Sequence, residues 1–145
     1  MSMARLQQPA INPAVAEAFT RLTALALLVF AVVYGVITIV GGESRWSAPA
    51  YEVALQVPGA PESWGAVLLG AAVMGSLGFA TRTLVLVMVG FAGCAAWSTC
   101  FALSIGVVAA RNPGVGWGGV CTWVFLALLY SASTAAAGGR FHAAA

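Results

Sequence analysis

Four long stretches of this sequence carry no charged residue, and that spacing constrains the fold more than any motif does. Leu22–Gly42 runs for 21 residues, Ser63–Thr81 for 19, Thr83–Ala110 for 28 and Asn112–Gly139 for 28. The hydrocarbon core of a bilayer is about 30 Å thick, so a helix needs roughly 20 apolar residues to cross it. Each stretch therefore holds one crossing, and none holds two. Composition agrees. The 145 residues are 61% hydrophobic and 7% charged, with a mean hydropathy of +0.97, against about 45–50% apolar and about 25% charged in a soluble domain. Such a chain has too few polar groups to coat a water-exposed surface. The expectation is an all-α membrane protein, a four-transmembrane-helix bundle, with spans at about 22–40, 64–81, 84–107 and 117–137.

The segments between spans carry the chain's punctuation. Residues 1–12 read as a flexible N-terminal tail. Asn12-Pro13 suits a helix start, because Asn caps and Pro fits the first helical position. The membrane domain then covers 13–137, with a wet turn or two before the first span. Gly41-Gly42 ends that span. The outer loop, 43–63, holds Pro49, Pro58 and Pro61, and most of the Glu residues. Within it Tyr51–Val57 alternates loosely and reads as a short surface helix or strand. A tight turn is expected around Arg82, and Asn112-Pro113-Gly114 breaks the chain again. Residues 138–145 form a short cytoplasmic tail. The apolar run near the N-terminus reads as the first span and not as a signal peptide, because it is too long and three further spans follow it.

Arginine count sets the expected orientation. Lys and Asp are absent. The N-terminus, the Arg82 turn and the C-terminus share one side, with Arg5, Arg21, Arg82 and Arg140; the other side holds only Arg45 and Arg111. Positive residues stay cytoplasmic, which gives an N-in/C-in protein of the cytoplasmic membrane with Arg21, Arg82 and Arg140 as its topology markers. Trp46, Trp64 and Trp117 fall at the outer span ends, where indoles of an aromatic belt sit at headgroup level.

What the spans lack excludes much chemistry. No Asp, Glu, Lys, Arg or His lies inside a predicted span. A buried ionisable group costs about 2.5–3.5 kcal/mol on insertion scales and is kept where ions or protons are handled. A proton-coupled exporter needs such a group, and Glu17 precedes the first span by about a turn. The one His, His142, lies in the C-terminal tail, so no axial haem ligand is placed in the bundle. Cys94, Cys100 and Cys121 have no CxxC spacing and read as small apolar packing residues. No nucleophile–base pair is evident. The net charge of +2 is scattered, with no basic patch for nucleic acid. The reading is a non-enzyme without metal or cofactor, whose partners are the lipid bilayer and further membrane chains.

Small residues recur at i, i+4 spacing. Ala66 and Gly70, then Ala71 and Gly75, lie on span two. Gly90, Cys94 and Ser98 lie on span three, and Ala127, Ser131 and Ala135 on span four. In lipid, helices associate by close backbone approach and weak polar contacts, which small residues permit. These rows either pack the four helices of one chain together or face a neighbouring chain, and sequence alone leaves both open. Spans three and four also carry Trp97, Thr99, Ser104, Thr122, Trp123, Tyr130, Ser133 and Thr134. That mildly polar face is a candidate lining for water in an assembly, although Ser and Thr also bond to their own helix.

The segments CAAWSTCFALSIG (94–106) and NPGVGWGGVCTWVFLALLY (112–130), with the small size, the four spans and the Met1-Ser2-Met3 opening, resemble the four-transmembrane phage holin family of mycobacteriophages and their relatives. The resemblance covers the whole chain as an architecture. It implies a protein that accumulates in the host cytoplasmic membrane, oligomerises and abruptly permeabilises it for host cell lysis. The sequence departs from many holins in its tail, where Gly138-Gly139-Arg140-Phe141-His142 carries one firm charge in place of a basic cluster. Two other readings remain: a structural accessory subunit of a larger membrane complex such as a respiratory assembly, and a membrane protein that interferes with phage infection through the loop from Trp46 to Trp64.

Overall fold

The structure, a computed structural model, describes residues 12–144, without the side chains of Glu43, Arg45, Arg140 and residues 141–144. The expected tail therefore lies outside the described residues except for Asn12, and Arg5 and Met1-Ser2-Met3 lie outside with it. Four helices make up the fold: α1 (Pro13–Arg45), α2 (Glu62–Thr81), α3 (Leu84–Arg111) and α4 (Gly118–Ala144). No strand occurs among the described residues. All four helices are long and apolar enough to cross a membrane, as a multi-pass membrane protein requires.

The helix ends follow local chemistry. Asn12 caps α1: its Oδ1 accepts from the Ala14 amide at 3.0 Å, and its carbonyl accepts from Val15 and Ala16. The first two turns are exposed and carry the Glu17–Arg21 pair at 2.7 Å. At the far end Gly42 leaves helical geometry with φ 54° and ψ −165°, a conformation that glycine adopts without steric cost. The span thus stops where the Gly41-Gly42 pair places its end. The α2–α3 turn is a Schellman motif. The Thr83 amide donates to Gly78 at 2.9 Å and the Arg82 amide to Phe79 at 3.4 Å, while Arg82 sits left-handed at φ 57°. Glycine is the usual residue there, and an L side chain costs about 1 kcal/mol or more.

Two expected boundaries move. α3 continues to Arg111 instead of ending near 107, since nothing breaks it before Asn112-Pro113. α4 runs on to Ala144, so the stretch from 138 that read as a tail is helical. The outer loop also gains structure. Its Tyr51–Val57 segment becomes part of two short 3-10 turns, Pro49–Tyr51 and Ala54–Gln56, with Ala54 fully buried.

Consecutive helices run antiparallel, and the registers are read from where backbones meet. Gly35 and Gly65 lie against each other, as do Leu28 and Gly75, which aligns α1 with α2. Gly75 meets Gly90 and Gly78 meets Val87, aligning α2 with α3. Ile105 meets Gly119 and Met88 meets Gly138, aligning α3 with α4. α3 is the central helix and the most buried. α1 closes on α4 through long side chains that reach across. The Tyr130 hydroxyl on α4 donates to the Leu27 carbonyl on α1 at 2.9 Å, in a buried position. Tyr130→Phe keeps the ring and removes that bond. It should lower stability by about 1 kcal/mol, read as a shifted midpoint of reversible unfolding in micelles, whereas Tyr51→Phe on the half-buried loop should shift it far less.

Candidate functional site

The bundle's two ends differ. At the outer-loop end, Phe30, Tyr34, Trp46, Tyr51, Trp64, Trp97, Phe101 and Trp123 form one connected set of rings. Centroids lie 4.8–6.1 Å apart in that set, the spacing at which offset and edge-to-face pairs attract. All four helices and the loop contribute. Two indoles are also fixed by hydrogen bonds. Trp97 Nε1 donates to the Trp64 carbonyl at 2.7 Å, and Trp64 Nε1 donates to the Ala54 carbonyl at 2.8 Å. Loop, α2 and α3 are thereby pinned in series. Below this cap Phe91, Tyr130, Cys94 and Ser98 fill the middle of the bundle, each at most 1% exposed.

This corrects the aromatic belt. Trp46 is 3% exposed and Trp64 half-buried. Of the three, Trp117 alone is exposed, at 56%. The reason is the loop: it folds back over the helix ends, so an indole at a span boundary finds other rings before it finds lipid. Sequence position placed Trp46 and Trp64 next to helix ends, where they stand, but did not give their direction, which is inward. The signal available in the sequence was the density of aromatics shared by the loop and by positions 97–101.

The small-residue rows divide in two. Ala71, Gly75, Gly90, Cys94 and Ser98 lie inside, at the α2–α3 crossing. A Cβ on Gly90 would fall 2.4 Å from the Gly75 nitrogen, and one on Gly75 would fall 3.0 Å from Leu28. Ala66 and Gly70 on α2 are exposed, and Gly70 has nothing within 4 Å of where its Cβ would stand. On α4, Ala127 is buried while Ser131 and Ala135 are exposed. Ala127 and Ser131 line an open groove of about 510 Å³ between α3 and α4, together with Leu103 and Gly106. Gly35 and Gly65, where α1 crosses α2, fell outside every row; their spacing is visible only once the two helices are set side by side.

The polar face of spans three and four is spent locally. The hydroxyls of Ser98, Thr99, Ser104, Thr122, Ser133 and Thr134 each donate to the carbonyl four residues back, at 2.8–3.0 Å. With the donor already used, each oxygen keeps lone pairs that can accept from water, so this face tolerates water without demanding it. Cys94 is buried, and Cys100 and Cys121 are exposed on the helix surface. Among the described residues no group of three His, Cys, Asp or Glu side chains is placed to hold a metal ion.

At the opposite end the helices splay around a cleft of about 550 Å³. Thr20, Arg21, Ala24 and Leu25 of α1 form one wall, Phe79, Arg82 and Val87 a second, and Ser133 and Ala137 of α4 a third. Arg21 and Arg82, singled out as topology markers, are thus brought to one cavity; the side chain of Arg140 lies outside the described residues.

Compared with protein-family models, with curated proteins and with solved structures, the chain finds no match.

Proposed function

We propose that this protein acts by lateral assembly in the cytoplasmic membrane, N-in/C-in, as a holin-like protein that permeabilises the membrane for host lysis. The observation that carries the reading is a division of labour among small residues. One set is consumed in the helix crossings of the single chain, and a second set, Ala66, Gly70, Ser131 and Ala135, faces outward where only lipid or another helix can meet it. The axis of the bundle is filled by Phe91, Trp97, Phe101, Trp123 and Tyr130, so a water path runs between copies and not through one. A second copy laid along the α3–α4 groove meets small residues and self-satisfied hydroxyls, the surface on which helices associate in lipid.

Inducible expression with a potential-sensitive dye tests this. Wild type should allow growth and then depolarise the cells abruptly. Gly70→Leu combined with Ser131→Leu should accumulate in the membrane, remain folded and fail to depolarise it. Continued growth at high wild-type expression, without abrupt depolarisation, overturns the reading. Stable co-purification with much larger membrane partners would then favour an accessory subunit.

A further inference from the structure

Among the described residues the arginine-lined cleft differs from the groove between α3 and α4 and from that between α1 and α2, neither of which has a charged lining residue, and permeabilisation makes no use of it. We infer that it is a binding site for an anionic glycerophospholipid, with the phosphate held at Arg82 and Arg21 and one acyl chain laid along α1 and α2. The inference does not depend on the permeabilisation reading.

Three observations converge. The first is charge. The cleft holds two guanidiniums, and the one carboxylate paired in its neighbourhood is Glu17, bound to Arg21 in an exposed i,i+4 pair. Such pairs are weak and readily shared. Arg82 makes no ion pair among the described residues. A planar guanidinium suits bidentate phosphate binding, and basic pockets between spans on the cytoplasmic side recognise anionic headgroups.

The second is continuity with an apolar path. Leu25 and Phe79 line both the cleft and an adjoining groove of about 240 Å³ between α1 and α2, which continues along Leu28, Val32 and Val33. From Arg21 to Val33 is about 18 Å of helix at 1.5 Å per residue, close to half of the roughly 30 Å hydrocarbon core. A headgroup at the cleft therefore leaves its acyl chain a slot of about one leaflet's depth. A free phosphate or a soluble anion has no use for that slot.

The third is Arg82 itself. It occupies the left-handed position of a Schellman turn, φ 57°, in a chain with 17 glycines. Glycine is the residue that turn favours, so a long cation stands where the backbone prefers none.

The full-length chain, purified in a neutral detergent and stripped of lipid, should be titrated with phosphatidylglycerol, phosphatidylcholine and inorganic phosphate, with retained lipid counted by native mass spectrometry. Phosphatidylglycerol should be retained about tenfold better than phosphatidylcholine. Arg82→Gln, which leaves the turn's backbone demand unchanged, should reduce that preference to near unity, and Arg82→Lys should keep part of it. Leu25→Trp, which obstructs the groove and spares both arginines, should weaken both phospholipids together. Unfolding midpoints of the variants separate a lost site from a lost fold. Equal retention of the two lipids, an unchanged preference in Arg82→Gln, or displacement of phosphatidylglycerol by millimolar inorganic phosphate would each overturn the proposal.

Discussion

Gly90→Ala should be the most damaging glycine-to-alanine change among the described residues. The added Cβ would stand 2.4 Å from the Gly75 nitrogen, 2.5 Å from the Gly75 Cα and 2.8 Å from the Ala71 carbonyl oxygen. All three are backbone atoms of α2, so no rotamer change relieves the overlap and the helices must part. Overpacking ordinarily costs about 1–3 kcal/mol. Here the upper end, about 3 kcal/mol, is expected, because the crossing is the axis on which α2 and α3 dock. Gly65→Ala should cost less. Its Cβ meets one backbone atom closely, the Gly35 carbonyl oxygen at 2.7 Å, with the Ile39 nitrogen further off at 3.1 Å, and the Ile39 side chain at 2.7 Å can shift. Gly70→Ala, on the same helix, meets nothing within 4 Å and should stay within about 0.5 kcal/mol of wild type. Reversible unfolding in micelles reads this series. If Gly90→Ala and Gly70→Ala unfold together, the α2–α3 register is wrong.

Trp97→Ala should cost about 3–5 kcal/mol, the range for removing a large buried aromatic, and its effect should travel to the outer loop. Trp97 is 3% exposed and touches the rings of Tyr34, Trp64, Phe101 and Trp123. It also donates to the Trp64 carbonyl, and Trp64 in turn holds the loop at Ala54. Deleting the indole opens a cavity in the ring cluster and removes the first link of that series. Proteolysis within residues 46–61 should accelerate, because local opening there becomes easier. Trp97→Phe retains most of the packing and loses the hydrogen bond, so a smaller loss of about 1 kcal/mol is expected. Trp117→Ala, at an exposed position, should change neither stability nor cleavage appreciably. Equal cleavage in Trp97→Ala and wild type would mean that the loop is held by something other than the aromatic cap.

These two sites show why part of the molecule was legible in the sequence and part was not. The number of helices, their ends at Asn12-Pro13, Gly42, Arg82 and Asn112, and the absence of charged residues from the apolar runs follow from transfer free energy and local backbone preference. Both act residue by residue along the chain. The same logic placed Trp46 and Trp64 beside the ends of α1 and α2. It could not say that they turn inward, because that depends on a loop folding over the helix ends. Likewise i, i+4 spacing marked ten small residues as one kind, and only the crossings separate Gly90, packed against backbone, from Gly70, facing outward.

Sequence by itself therefore determined how many times the chain can cross a bilayer, since hydrophobic length is a sum over neighbours in the chain, but not the C-terminal ends of α3 and α4. The tertiary structure alone decided which small residues are consumed inside, which rings seal one end, and that Arg21 and Arg82, 61 positions apart in the sequence, share a cavity at the other. Those outcomes depend on helix register and rotation, and these are set by the fit of one helix surface against another.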